Sequence, residues 1–350
     1  MELFKRIMAF VVIAAVGLAL AACSRDITRV EQVAAGPQAC FECHTDTSTF
    51  LVAAVQQWEH SKHASGETTY ETGTSCAGCH TSEGFLARVA GTAVTSPENP
   101  TAIGCFTCHA PHTNGDFRLR WTAVATLQSG VSFDLKAGNT CVACHHARRD
   151  VTTYIKPAPA TTTLSTRFGP HHGPQGDLLI GSNGYEYDGY TYEQTNHRSA
   201  TTDGCLDCHM RVATGIVTGG HSFNMEWDEG AEPILNTGAC AKCHGALDDF
   251  DYGSTQTDVD GLVADLQARL VTAGLLSASG TPLEVATSAD SAGAVWNLVL
   301  VKEDRSHGIH NPQYVRGLLQ SSIEYISGSR AQNGTVARVQ QAMSGARNRQ

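Results

Sequence analysis

Cysteine and histidine recur together in one phrase, Cys-x-x-Cys-His, which occurs six times. The first three copies are Cys40, Cys43 and His44, then Cys76, Cys79 and His80, then Cys105, Cys108 and His109. The last three are Cys141, Cys144 and His145, then Cys205, Cys208 and His209, then Cys240, Cys243 and His244. Two thiols separated by two residues can form thioethers with the two vinyl groups of one porphyrin. The histidine that follows then lies beneath the iron as its proximal ligand. Zinc ribbons, redox dithiols and disulfides also use Cys-x-x-Cys, but none requires histidine after every second cysteine. Twelve of the thirteen cysteines are used in this way, so the chain is expected to carry six covalent heme c groups.

A heme whose second axial position is also filled by protein passes electrons, whereas an open position admits a substrate. Ten histidines remain after the proximal six: His60, His63, His112, His146, His171, His172, His197, His221, His307 and His310. Beyond the N-terminal apolar segment, methionine offers only Met210, Met225 and Met343. The supply therefore favours bis-histidine ligation, with lower potentials than Met/His ligation gives. The motif starts are 36, 29, 36, 64 and 35 residues apart, which keeps successive hemes close.

The elements that position these groups are sparse. Met1 to Arg6 is basic, and Ile7 to Ala22 is apolar but shorter than a membrane span, as in a signal peptide over 1–22. It ends in Leu20-Ala21-Ala22-Cys23, which resembles a lipoprotein lipobox with Cys23 as the lipidated residue. The alternative is ordinary signal cleavage that leaves Cys23 a spare thiol. A linker over 23–38 leads to a heme-binding region over 39–250, rich in Gly, Thr and Pro, where loops and short helices are expected. After Asp251 the pattern changes. Val259, Leu262, Val263, Leu266 and Leu270 recur at helical spacing. A second helix is expected over Ala292–Val301 and a third over Pro312–Ile326, with Pro312 suited to a first turn. These helices fall in a C-terminal region, 251–350. The fold class is mainly α with a large coil fraction and very little sheet, wrapped around six hemes. Such a chain is expected not to fold without heme. Acidic residues outnumber basic ones 34 to 24, with no Lys/Arg cluster, which argues against nucleic acid as a partner.

Several phrases resemble a family of extracellular multiheme cytochromes. They are Trp58 to Ala64 (WEHSKHA), Cys105 to His112 (CFTCHAPH), Gly169 to Asp177 (GPHHGPQGD), Gly219 to Phe223 (GGHSF) and His307 to Leu319 (HGIHNPQYVRGLL). The family includes the hexaheme OmcS-type cytochromes, which polymerise into conductive filaments. Related phrases occur in multiheme nitrite reductases. The resemblance implies six distal ligands: His63, with His60 as the fallback, then His112, His171 in preference to His172, His197, His221 and His310. It implies a secreted electron carrier at the outer membrane surface or outside the cell. Its partners are other copies of itself, other redox proteins and an extracellular acceptor, with Cys23 as a possible membrane anchor.

Two alternatives stand beside the filament: a lipid-anchored monomeric carrier, and a nitrite- or hydroxylamine-type reductase. The ammonia-forming nitrite reductases carry lysine in place of one proximal histidine, whereas all six motifs here end in histidine. An electron carrier rather than an enzyme is therefore expected. The run Tyr185, Tyr187, Tyr190 and Tyr192 is expected to pack against porphyrin faces.

Overall fold

Five of the six motifs fold into single helical turns: Ala77–His80, Cys105–Cys108, Asn139–Val142, Leu206–His209 and Ala241–His244. The computed structural model describes residues 49–66, 71–228, 230 and 232–328. The chain divides into units 1–45 and 46–350, and every described residue belongs to the second. The first motif (Cys40, Cys43 and His44), Cys23 and the 331–350 segment lie outside the described residues.

An isolated turn of helix is unstable in water, because nucleation fixes several residues for one hydrogen bond. Each motif turn is therefore held by contacts beyond itself, as where Asn139 donates to the Thr122 carbonyl at 3.0 Å. Sheet is equally sparse. Among the described residues it consists of three antiparallel two-residue pairs: Ala125–Thr126 with Ser132–Phe133, Thr162–Thr163 with Ala286–Thr287, and Glu226–Trp227 with Ile234–Leu235.

Regular packing is concentrated in three long helices, Thr255–Thr272, Ala289–Asp304 and Pro312–Ile326. The first and third lie where the apolar spacing and Pro312 put them. The second runs past the expected Ala292–Val301 at both ends; its earlier start follows from Ser288, which caps it, its Oγ accepting the Ser291 N–H at 3.2 Å. Leu266, Leu270, Trp296, Leu298, Leu300, Tyr314, Leu318 and Leu319 are fully buried between these helices. Phe168 and Leu178 join them from the motif-bearing part of the chain. Buried Arg316 ties the third helix to the first through Asp258 at 3.0 Å.

The tyrosine run departs from expectation. It docks on the C-terminal helices rather than standing ready for a porphyrin. Tyr185 donates to Asp290 at 2.7 Å, Tyr190 to Glu324 at 2.8 Å and Tyr192 to Ser321 at 2.9 Å. Each hydroxyl needs an acceptor once its ring is covered, and the polar positions on those helices supply one.

Around the motifs the second apolar cluster is small, with Leu127, Phe133, Val142, Leu179 and Ile180 at its centre. Side chains alone bury little apolar area here, so the motif region depends on another hydrophobic body.

Candidate heme-binding centres

In every described motif the histidine N–H donates to the carbonyl of the first cysteine. The distances are 3.2 Å for His80, 2.9 Å for His109, His145 and His209, and 3.0 Å for His244. This closes one helical turn and puts the two thiols, three residues apart, on one face. None of the ten described cysteines is paired in a disulfide.

Three of the twelve expected thioether cysteines stand apart from the rest. Cys43, with Cys40, falls outside the described residues, so no geometry attaches to the first motif. Cys243 is exposed, whereas Cys76, Cys79, Cys105, Cys108, Cys141, Cys144, Cys205, Cys208 and Cys240 are half-buried. The cause is local: its neighbours Ala241 and Lys242 are exposed too, and no buried apolar residue follows before Val259. The protein therefore does not enclose Cys243 as it encloses the other described motif cysteines.

Four motif histidines face a second imidazole. Ring centroids are 6.1 Å apart for His63 and His145, 6.3 Å for His109 and His221, 6.1 Å for His197 and His244, and 6.3 Å for His209 and His310. A metal–imidazole distance of about 2 Å on each side, plus half of each ring, puts two trans ligands' centroids roughly 6 Å apart. The four pairs meet that spacing. No group of three or more His, Cys, Asp or Glu gathers as a metal cluster among the described residues. A closed zinc site needs four such ligands. Opposed pairs instead suit an iron whose equatorial plane is filled by a porphyrin, so the residues present fit heme c. The thiol sulfurs stand here for the thioether sulfurs of the loaded protein.

Burial keeps most of these imidazoles in the neutral form that ligates. His63 is lowered to about 4 by burial and by His145. His209 is also lowered to about 4, chiefly by burial. Burial lowers His145 as well, although its ring keeps accessible surface.

The second nitrogens are held individually. His209 Nδ1–H donates to the Phe223 carbonyl at 2.9 Å, and His197 Nδ1–H to the Ile309 carbonyl at 2.8 Å. His145 Nδ1–H donates to Gln175 Oε1 at 3.2 Å, and His310 Nδ1–H to Asp304 Oδ1 at 2.6 Å. Such outer contacts fix the tautomer and leave Nε2 for a metal. The turn between the second and third long helices thus positions two imidazoles, His310 directly and His197 through Ile309. Asn311 secures the same turn by accepting the Thr195 N–H at 3.0 Å.

The other predicted ligands are placed less completely. His171 lies beside His172, with centroids 5.0 Å apart, and is lowered to about 4 by burial and then by Arg148, His172 and His80. His80 therefore lies within electrostatic reach of this pair. His112 meets the Phe106 ring at 5.8 Å. His44 lies outside the described residues. Among the remaining histidines, His60 bonds the Gln56 carbonyl, His146 the Ala147 carbonyl, His172 Glu303 and His307 Asp260.

The motifs also touch one another. The Cys144 side chain neighbours Cys79, and that of Cys141 neighbours Cys205, which brings the second, fourth and fifth motifs together at their cysteines. The Phe223 ring meets His63 at 5.2 Å and His221 at 6.2 Å, while its carbonyl holds His209. Phe223 has φ of 59°, a left-handed conformation costing roughly 1–2 kcal/mol outside glycine, at the point where three histidine pairs converge. Sequence reasoning missed Phe223, Gln175 and Asp304. The first two lie inside the family-like phrases, whereas Asp304 carries no local signal.

Comparison with solved structures finds the outer cell wall cytochrome OcwA, at a TM-score of 0.51 and 22% identity, over 77% of this chain and 49% of that one. Curated relatives include two C-type polyheme cytochromes of Geobacter sulfurreducens. OmcB is 22% identical over 87% of this chain and 50% of its own length, and OmcC is 24% identical over 78% and 45%. The fold is that of a multiheme c-type cytochrome. No family model matches the chain. The chain spans about half the length of the relatives it matches. Within this cytochrome fold, no described helix is long and apolar enough to cross a membrane.

Proposed function

We propose that the chain is an electron conduit that holds six bis-histidine hemes and works at the outer surface of its cell. The observation that carries this is the set of four imidazole pairs at 6.1–6.3 Å, each joining a motif histidine to one from a distant segment. Bound heme supplies a one-electron iron couple. The chain supplies the rest: His63, His221, His197 and His310 close the distal sides of the centres at His145, His109, His244 and His209. His171 is assigned to His80, which lies within its electrostatic reach, and His112 to His44, the partner left over. Cys40 and Cys43 are assigned the first heme on the wording of their motif. Cys240 and Cys243 are assigned the sixth, whose Cys243 edge faces solvent and suits exchange with a partner.

Cysteine contacts between the second, fourth and fifth motifs bring the thioether edges of three hemes together, which favours rapid transfer. Similarity to OcwA and to the OmcB and OmcC cytochromes supports the surface location. At its ends the conduit exchanges electrons with other redox proteins or with further copies of itself in a filament. Electron microscopy of native material separates a filament with a one-subunit repeat from single tethered particles.

A reductase requires an iron with an open position. Carbon monoxide added to the fully reduced protein tests this. Unchanged spectra support the conduit, and a carbonyl adduct at one heme per chain supports the reductase.

A further inference from the structure

Of the four second-nitrogen contacts, that of His310 differs in kind. Its Nδ1–H donates to a carboxylate, Asp304 Oδ1, at 2.6 Å, whereas His209 and His197 meet carbonyls and His145 meets an amide oxygen. His109 Nδ1 is buried and meets no acceptor among the described residues. The imidazoles therefore range from one with no acceptor to one with an anionic acceptor.

The Asp304 carboxylate sits where a negative charge is costly. Its side chain is 1% exposed, and the residue is the last of the Ala289–Asp304 helix, where the backbone dipole already points negative. A hydrogen-bonding role alone would be met by asparagine without that cost. Three contacts fix the residue. Ser306 Oγ donates to Oδ2, Gln175 Nε2 donates to its carbonyl at 3.2 Å, and His310 takes Oδ1. Gln175 is the same residue that accepts from His145, so the Asp304 turn is braced against the neighbouring centre.

We infer that Asp304 is a positioning residue that gives His310 imidazolate character and makes the heme held by His209 and His310 the lowest-potential centre of the conduit. This rests on the reading of His310 as a distal ligand. A carboxylate on the outer nitrogen makes the imidazole a stronger donor, and stronger donation stabilises the oxidised iron over the reduced. The electron arrives from a redox partner, so nothing in the chain is consumed. The centre then holds electrons less well than its neighbours and passes them on.

The test is a potentiometric titration of the holoprotein followed by EPR, comparing wild type with Asp304→Asn and Ser306→Ala. Asp304→Asn keeps an acceptor for Nδ1–H but removes its charge, and is expected to raise the lowest midpoint potential and shift one low-spin signal. Ser306→Ala removes a donor from the carboxylate, leaving it a stronger acceptor, and is expected to move the same potential in the opposite direction. Opposite shifts confined to one heme are not what loosened packing produces. Potentials that superimpose in all three proteins, or a small uniform shift of every heme, overturn the role of Asp304. A His310→Leu protein that stays entirely low-spin overturns the ligand assignment beneath it, so the two failures are told apart.

Discussion

The rings of His209 and His310 face each other at 6.3 Å, one from the fifth motif and the other from the turn that opens the last helix. The C-terminal helices are therefore more than a core attached to a string of motifs. They deliver an imidazole to a centre whose cysteines lie far earlier in the chain.

Replacing His221 with leucine should open one iron. His221 faces His109 at 6.3 Å and lies on a Gly-rich turn with no covalent tie to a heme. EPR of the oxidised protein should show one of six hemes turning high-spin while heme content stays unchanged. A fully low-spin variant would contradict the pairing.

The adjacent His171 and His172 should behave differently. His171 lies half-buried within electrostatic reach of Arg148 and His80, at a φ of 75°, whereas His172 is exposed and bonded to Glu303 at 2.6 Å. His171→Leu is expected to convert the His80 heme to high spin, and His172→Leu to leave all hemes low-spin. Resonance Raman spin-state bands read both outcomes, and the reverse pattern would reassign the ligand.

Gly293 sits inside the second long helix, where alanine normally stabilises by up to about 1 kcal/mol. Here a Cβ would fall 2.2 Å from the Tyr185 ring, which is held by its hydroxyl on Asp290 and its N–H on Asn297. Overpacking outweighs propensity, so Gly293→Ala should lose about 1–3 kcal/mol. Denaturant unfolding followed by tyrosine fluorescence measures this, and an unchanged or raised midpoint would refute it.

Asp177, in the helix Gln175–Ile180, ties that helix to the chain just after the fourth motif by accepting the Ala147 N–H at 2.6 Å. Burial raises its pKa from 3.8 to about 6, so the folded protein keeps a proton that the unfolded chain has released. Stability from this group is fullest below 3.8 and falls as pH rises through about 6. Asp177→Asn should flatten that decline and be the more stable protein at pH 7, by on the order of 2 kcal/mol. Unfolding midpoints at several pH values decide the matter, and parallel profiles for the two proteins would count against it.

Much of the architecture was legible because its signals are local. Six Cys-x-x-Cys-His phrases name their own chemistry, and the apolar spacing from Val259 to Leu270, with Pro312 beyond, marks helices where they stand. Which histidine faces which was not legible. His63 reaches His145 and His197 reaches His244 through the path of a coil-rich chain, and no periodicity encodes that path. The exposure of Cys243 was hidden for a like reason, since its motif reads the same as the half-buried ones and only the surrounding chain differs. The tyrosine run was misjudged because closely spaced tyrosines suit many surfaces, and only folding shows that Asp290, Ser321 and Glu324 receive the hydroxyls. Asp304 was missed because an acidic residue six positions before a histidine has no regular meaning until the helix ends between them.

The most direct measurement is the mass of the purified intact chain together with its oxidised EPR spectrum. Six bis-histidine centres predict a mass excess of six hemes over the mature polypeptide and a spectrum that is low-spin throughout. Fewer than six hemes, or a high-spin signal amounting to one heme or more per chain, would contradict the account.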